Sequence, residues 1–192
     1  MINTIYEPVF NNDMNTTLVE LSKFLSLVLR HKPDVLGLVL DPQGWIPVAD
    51  LLASANKHGK NIDQALLEEL VFTSDKKRFS FSPDGQKIRA NQGHSVDVDL
   101  QFVAQEPPDI LYHGTATRFL TAIRSEGLNK MQRLHVHLSA NVDTATRVGA
   151  RHGAPVVLRV DAKQMSQDGM HFFLSANGVW LTENVPSSYI KE

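Results

Sequence analysis

The residues best able to do chemistry in this sequence are arginines set beside histidines with no fixed carboxylate partner: Arg30-His31, Arg78, Arg89, Arg133 and Arg151. A guanidinium stays charged at every accessible pH, and its planar fork takes two phosphate oxygens at once, so a set of them suits holding and stabilising phosphoryl oxygens. Guanidinium groups are poor proton acceptors. The pattern therefore fits a reaction whose substrate brings its own nucleophile, such as a phosphate oxygen. Taken alone, Arg30-His31-Lys32 is also an ordinary helix ending, because the carbonyl end of a helix dipole favours cations.

The histidines offer a second chemistry. His135-x-His137, with His113 and His152, has the spacing of a zinc site, yet no HExxH or cysteine pair accompanies it, and histidines hydrogen-bonding in a ligand cleft account for it equally well. No metal is expected. With zero cysteines there is no thiol nucleophile and no disulfide framework. A GxSxG elbow, a GxGxxG loop and a GxxxxGK[ST] loop are all missing, which leaves a serine hydrolase, a Rossmann domain and a P-loop without support. His58 and His171 have no supporting context.

At 192 residues, with 42% hydrophobic and 21% charged residues, the chain can bury one large core or two small ones. The net charge of -2 argues against coating nucleic acid by bulk electrostatics, but a site gripping a few phosphates needs only local arginines. No apolar run is long enough for a membrane span, and MINTIYEPVFNNDMN lacks the pattern of a secretory leader. A cytoplasmic monomer with no membrane partner is the expectation.

The elements that must position these residues follow from periodicity. Thr17 to Pro33 reads as one amphipathic helix, opened by a Thr17–Glu20 capping box, with Leu18, Leu21, Phe24, Leu25, Val28 and Leu29 on its apolar face. Arg30 falls on the polar side. Asp41–Gly44 is a turn, Val48–Asn56 a short helix, and a third helix opens at Asn61 with a capping spacing to Gln64. Lys77–Phe81 and Lys87–Ala90 alternate around the turn Ser82–Gly85 as a hairpin. Three helices and a hairpin make a winged helix, a fold that often reads DNA, so a transcriptional regulator is a rival from another class. Asp63, Glu68 and Glu69 make the third helix acidic, which is wrong for a helix facing phosphates. The hairpin, with Lys76, Lys77, Arg78, Lys87 and Arg89, is the basic element.

Asn91–Ser95 (NQGHS) is rich in hydrogen-bonding side chains, and Val96–Val103 alternates as an edge strand would. Ala104–Asp109 carries two consecutive prolines and makes the best linker, giving domains 1–104 and 105–192. Beyond it the pattern is β-rich with small helices: a strand at Ile110–Tyr112, a helix at Thr117–Ser125 capped by a left-handed Gly127, a strand at Arg133–Ser139, a helix at Asn141–Val148 ended by Gly149, and strands at Pro155–Asp161, Phe172–Leu174 and Val179–Leu181. On Arg133–Ser139, period two puts Leu134, Val136 and Leu138 on one face and Arg133, His135, His137 and Ser139 on the other.

Six segments in order, LSKFLSLVLRHKP, KKRFSFSPDGQKIRANQGHS, LYHGT, MQRLHVHLS, VGARHGAPVVLRVDA and NGVWLTENVP, resemble the RNA 2'-phosphotransferase family, known as KptA in bacteria. The resemblance implies an α+β fold with an N-terminal winged-helix lobe, a C-terminal ADP-ribosyltransferase-like NAD-binding lobe, and an active site in the cleft between them. It implies a catalytic set at Arg30, His31, Arg78 and Arg133. NAD is then held through His113, Gly114 and Thr115, through His137, Leu138 and Ser139, and through Gly149, Arg151 and Gly153. Val179 stands where many ADP-ribosyltransferases carry a glutamate. Lys77, Arg89, Gln92, His94 and Ser95 are the candidate RNA contacts. The implied reaction moves an internal RNA 2'-phosphate to NAD; capping of a terminal RNA or DNA phosphate with ADP-ribose is the alternative. The end of the first helix should then face His113 and His137.

Overall fold

Leu21, Leu25, Val28 and Leu29 recur on one face of a helix, and in the computed structural model, which describes residues 12–74 and 76–191, that helix is α1, Asn12–Arg30. It opens earlier than the sequence predicts, so Thr17 is interior and the Thr17–Glu20 box does not form its terminus. The leader-free reading of the N-terminus falls largely on residues 1–11, outside the described residues. The backbone N–H groups of His31 and Lys32 both reach Leu27 O, at 3.0 and 2.9 Å, and close the helix. Pro33 does not simply stop the chain: it opens a 3-10 turn, Pro33–Leu36, where its fixed φ is already suitable.

Strand β1 (Ile46–Pro47) leads into α2 (Val48–Lys57), and α3 runs Gln64–Thr73. Asp63, not Asn61, caps α3, its carboxylate accepting from Leu66 N at 2.8 Å. Strands β2 (Phe79–Phe81) and β3 (Lys87–Ala90) form an antiparallel hairpin, with β1 on the far edge of β3. Lys77 and Arg78 precede β2. The apolar face of α1 packs with Ile46, Leu51, Leu67, Phe79 and Ile88 in a first core.

The expected edge strand at Val96–Val103 does not form. Asp99 N donates to Pro42 O at 2.8 Å, Gln101 takes a positive φ of 57°, Leu100 is buried and Phe102 packs on His135. The Val/Asp alternation finds no partner strand because its apolar residues anchor the segment to either side. Ala104 then bridges to Phe173, and Gln105 N donates to Phe172 O at 2.8 Å.

Strand β4 (Ile110–Ala116) is followed by a 3-10 turn at Thr117–Phe119, α4 (Leu120–Glu126), β5 (Leu128–Asn129), β6 (Val136–Leu138) and α5 (Val142–Gly149). After a 3-10 turn at Ala150–His152 come β7 (Pro155–Asp161), α6 (Ala162–Gln167), β8 (Phe173–Leu174), β9 (Trp180–Thr182), β10 (Asn184–Val185) and β11 (Ile190–Lys191). The pairings are antiparallel, in the orders β11-β7-β4, β6-β9-β8 and β10-β5. Reciprocal 2.8 Å bonds between the backbones of Tyr112 and Ser139 join β4 to the end of β6. Leu111, Val136, Leu138, Leu158, Val160, Met165 and Phe172 fill a second core.

Three local expectations change. Gly127 ends α4 at φ 76°, ψ -163°, a glycine conformation but not the left-handed helical cap. Gly149 is the last helical residue of α5 and passes straight into the next turn, so it terminates nothing. Arg133 lies in the bend before β6 rather than on it. The architecture is thus a mixed α+β fold of several small sheets with flanking helices. Among the described residues no helix is long and apolar enough to cross a membrane.

Candidate active site

Because α1 ends at Arg30, its last side chain leaves the polar side of the helix and lies against β2, with its guanidinium carbon 5.9 Å from the Phe79 ring centroid. Its Nε and Nη2 are buried without a hydrogen-bond partner. Burial, then the charges of Arg78 and Arg133, push the Arg30 pKa down to about 10. An arginine in that state calls for an anion, since partial desolvation and like charge both disfavour it until one is supplied.

The other members converge from different elements. Arg78, just before β2, donates to Ser22 Oγ at 3.3 Å, and burial followed by the Arg151 charge lowers its pKa. Ser22 was not anticipated, although it lies on the same i, i+4 row of α1 as Ser26 and Arg30. Arg133 donates from Nη1 to His137 Nδ1 at 2.9 Å. Arginine has no acceptor, so His137 Nδ1 carries the lone pair and its proton sits on Nε2. Burial, then Arg133 and Arg30, hold the His137 pKa down to about 3. On β4, His113 Nδ1 donates to His137 O at 3.1 Å, which leaves His113 Nε2 as an acceptor; burial is the main cause of its lowered pKa.

Gly93, at φ 85°, brings the two cores together here. A Cβ on it would stand 3.5 Å from His137 Cε1 and 3.6 Å from Arg30 Nη1, so the end of α1 lies near His137. Around it, Ser95 N donates to Arg30 O at 2.9 Å, Leu134 N donates to His94 O at 3.2 Å, and Asn177 Nδ2 donates to Lys76 O at 3.1 Å. His31 Nδ1 lies 2.9 Å from Ser95 Oγ, and its pKa is lowered by partial burial and then by Arg30 and Arg133.

The remaining candidates have their own surroundings. His94 is 1% exposed, with neither ring nitrogen hydrogen-bonded, and burial, then Arg30, His31 and Arg89, push its pKa down to about 4. Its ring is enclosed by the protein. Arg89 stacks 4.3 Å over Trp45 and donates to Gln43 O at 3.2 Å, while Gln92 buries Oε1 without a partner. Lys77 takes φ 37°, its carbonyl accepting from the buried Asn91 at 2.7 Å, and it lines an open groove of about 540 Å³ with Phe72 and Phe81 between α3 and the β2–β3 hairpin.

In the second core, the Leu138 side chain is buried, so only its backbone is available to a ligand. A Cβ on Gly114 would overlap the Ala145 carbonyl, and one on Gly149 the Thr115 carbonyl; both glycines serve the close seam of α5 on β4. Thr115 is buried in that seam. Ser139 Oγ accepts from Asn141 N at 3.0 Å, Arg151 sits in the turn after α5, and Gly153 takes φ 133°. Val179 is fixed by Ser175, whose Oγ accepts from Val179 N at 3.0 Å. His135 packs edge-on against Phe102 and Phe173, apart from the Arg133–His137 bond. Among the described residues no group of three or more histidines, cysteines or carboxylates is placed to hold a metal ion.

Arg30, Arg78 and Arg133 thus lie within electrostatic range of one site in a mixed α+β fold. The family model for "RNA 2'-phosphotransferase, Tpt1 / KptA family" matches residues 16–184. A probable RNA 2'-phosphotransferase of Agrobacterium fabrum is 61% identical over 169 residues, covering 88% of this chain and 91% of its own. Proteins of the same description from Acaryochloris marina and Pectobacterium atrosepticum are 50% and 49% identical, each over 93% of this chain and over 99% and 100% of their own. The chain belongs to the RNA 2'-phosphotransferase family and is a transferase with that activity.

Proposed function

We propose that the chain is a two-lobe enzyme, residues 1–104 forming a winged-helix RNA-binding lobe and residues 105–192 an ADP-ribosyltransferase-like lobe, and that it moves an internal RNA 2'-phosphate to NAD in the cytoplasm. The observation that carries this reading is Arg30, buried without partners at Nε and Nη2 and facing the charges of Arg78 and Arg133. Three guanidinium groups held together in this way match the oxygens of one phosphoryl group.

NAD enters as co-substrate, and the donor set is compatible with it. His113 presents an acceptor nitrogen, His137 an N–H, and Arg151 a charge in the turn after α5. In the first step the RNA 2'-phosphate attacks the anomeric carbon of the nicotinamide ribose, and nicotinamide departs with its bonding electrons. The attacking oxygen is already an anion, so an apolar Val179 in place of a base costs the step nothing. In the second step the neighbouring ribose 2″-hydroxyl attacks phosphorus, releasing the RNA 2'-hydroxyl and ADP-ribose 1″,2″-cyclic phosphate. Charge grows on the phosphoryl oxygens, where Arg30, Arg78 and Arg133 stabilise it. His31 hydrogen-bonds the phosphate and moves the proton of this step. Lys77, at the groove bearing Phe72 and Phe81, contacts the flanking RNA.

The test is incubation with NAD and an oligonucleotide carrying one internal 2'-phosphate, with a 5'-phosphorylated oligonucleotide in parallel. ADP-ribose 1″,2″-cyclic phosphate from the first supports the reading. Stable ADP-ribosylation of the terminal phosphate, with no cyclic product from the internal one, overturns it.

A further inference from the structure

His31 is held at one ring nitrogen by a hydroxyl whose own position is fixed from two sides. Ser95 Oγ meets His31 Nδ1 at 2.9 Å. The Ser95 backbone N–H is bound to Arg30 O at 2.9 Å, and the preceding carbonyl, His94 O, takes the N–H of Leu134 at 3.2 Å. The hydroxyl is therefore placed by the end of α1 and by the segment carrying Arg133. Among the described residues, the charged and titratable groups facing His31 are Arg30 at the end of α1, Arg133 ahead of β6 and His94 after β3, and none of these is an anion.

A hydroxyl differs from the carboxylate that commonly orients a catalytic histidine. A carboxylate only accepts, so it fixes the proton on Nδ1 and favours imidazolium. A serine O–H donates to a bare Nδ1 and, after rotation, accepts from a protonated one. The His31 ring keeps its place in either protonation state, with Nε2 as the nitrogen available to substrate.

We propose that Ser95 is a positioning residue for the second step, holding His31 against the reacting phosphate while its ring gains and then loses a proton. This rests on the role given to His31 above. In that step the O2″–P bond forms and the P–O2' bond breaks. The proton leaves the 2″-hydroxyl for His31 Nε2 and passes to the departing RNA 2'-oxygen, so His31 ends as it began and no further reactant is consumed. Ser95 thereby moves from the RNA-contacting residues to the support of His31.

The experiment compares Ser95→Ala, Ser95→Thr, His31→Ala and the double variant Ser95→Ala/His31→Ala in quenched time courses that separate ADP-ribosylated RNA from dephosphorylated RNA. Loss of one supporting hydrogen bond should lower the ratio of second-step to first-step rate about tenfold in Ser95→Ala. ADP-ribosylated RNA then accumulates, and the apparent pKa of the second step moves. Ser95→Thr, which keeps the hydroxyl, should return the ratio to within about threefold of the parent. The double variant should be no slower than His31→Ala, because residues acting as one unit are not additive. A double variant slowed by the full Ser95→Ala factor beyond His31→Ala overturns the proposal and returns Ser95 to direct RNA contact; an unchanged ratio in Ser95→Ala overturns it as well. Full second-step turnover in His31→Ala sinks the His31 assignment itself, a distinct outcome. Thermal midpoints check folding, and Ser95→Cys, similar in volume with a weaker hydrogen bond, carries the same comparison if Ser95→Ala is unfolded.

Discussion

Arg133 Nη1 and His137 Nδ1 are 2.9 Å apart, and this bond fixes the chemical form of the histidine as well as its orientation. Since the arginine only donates, His137 is neutral with its proton on Nε2, and a pKa of about 3 keeps it so across the working range. In long-range 1H–15N spectra His137 should hold the Nε2–H tautomer from pH 8 down to about pH 4, and Arg133→Ala should raise its pKa by at least about one unit. A His137 that titrates near pH 6.5 in the parent protein contradicts the assignment.

Arg30 sets a buried, like-charged guanidinium against the fold, and its proposed role is to hold the phosphate, so stability and activity should part company when it is replaced. Arg30→Met puts an uncharged side chain of similar length beside the Phe79 ring and removes a buried charge that faces Arg78 and Arg133. The thermal midpoint should stay or rise, whereas turnover should fall by at least about 100-fold. Arg30→Lys should not restore turnover, because a point charge does not reproduce the fork. Added sulfate should raise the midpoint of the parent and not that of Arg30→Met, through binding to the folded state alone. A sulfate effect of equal size in both would show that the anion acts elsewhere.

The helices and the hairpin were legible because their apolar residues repeat with clean periods: Leu21, Leu25, Val28 and Leu29 on α1, and the alternation across β2 and β3. Strand β7 kept its expected bounds, Pro155–Asp161. What failed was local chemistry that a period does not encode. Asn61 and Asp63 are both good caps, and the choice fell to Asp63 because Asn56 holds Ile62 through its backbone N–H and carbonyl, at 2.7 Å each. Val96–Val103 alternates like a strand, yet only a neighbouring edge would have made it one. At the site, residue types announced phosphate chemistry. Burial could not be read from them: nothing in the type or spacing of His94 announces that its ring is enclosed, and no period marks the close approach of Gly93 to His137 and Arg30.

His94 also makes a prediction about acid stability. Its folded pKa, about 4, lies below its unfolded value near 6.5, so the unfolded chain binds more protons between the two. The stabilising contribution is complete above pH 6.5 and is lost as pH falls toward 4, at about 1.4 kcal/mol per pH unit in the steep part of that window. His137 acts in the same direction. Urea titrations at pH 7.5 and pH 5 should show the loss, and His94→Leu, which leaves no unpartnered nitrogen inside, should reduce it. Equal pH dependence in the two proteins would place the acid sensitivity elsewhere.

The seam between β4 and α5 gives the last prediction. Gly114 lies between His113 and Thr115 and directly under the backbone of α5, where an added methyl group would meet the Ala145 carbonyl rather than a side chain able to turn aside. Backbone on both sides of the contact means that the helix must shift as a body, and overpacking of this kind typically costs about 1–3 kcal/mol. Gly114→Ala should therefore lower the unfolding free energy from urea titration by that amount, moving the midpoint to lower urea. The same shift carries His113 away from the His137 carbonyl, which accepts from it at 3.1 Å, and with His113 in the proposed NAD-binding set the KM for NAD should rise more than turnover of bound substrate falls. Gly149→Ala, which presses on the Thr115 carbonyl from the opposite side of the seam, should give the same pair of effects. If either variant loses stability while its KM for NAD is unchanged, the seam supports the fold without setting the position of His113.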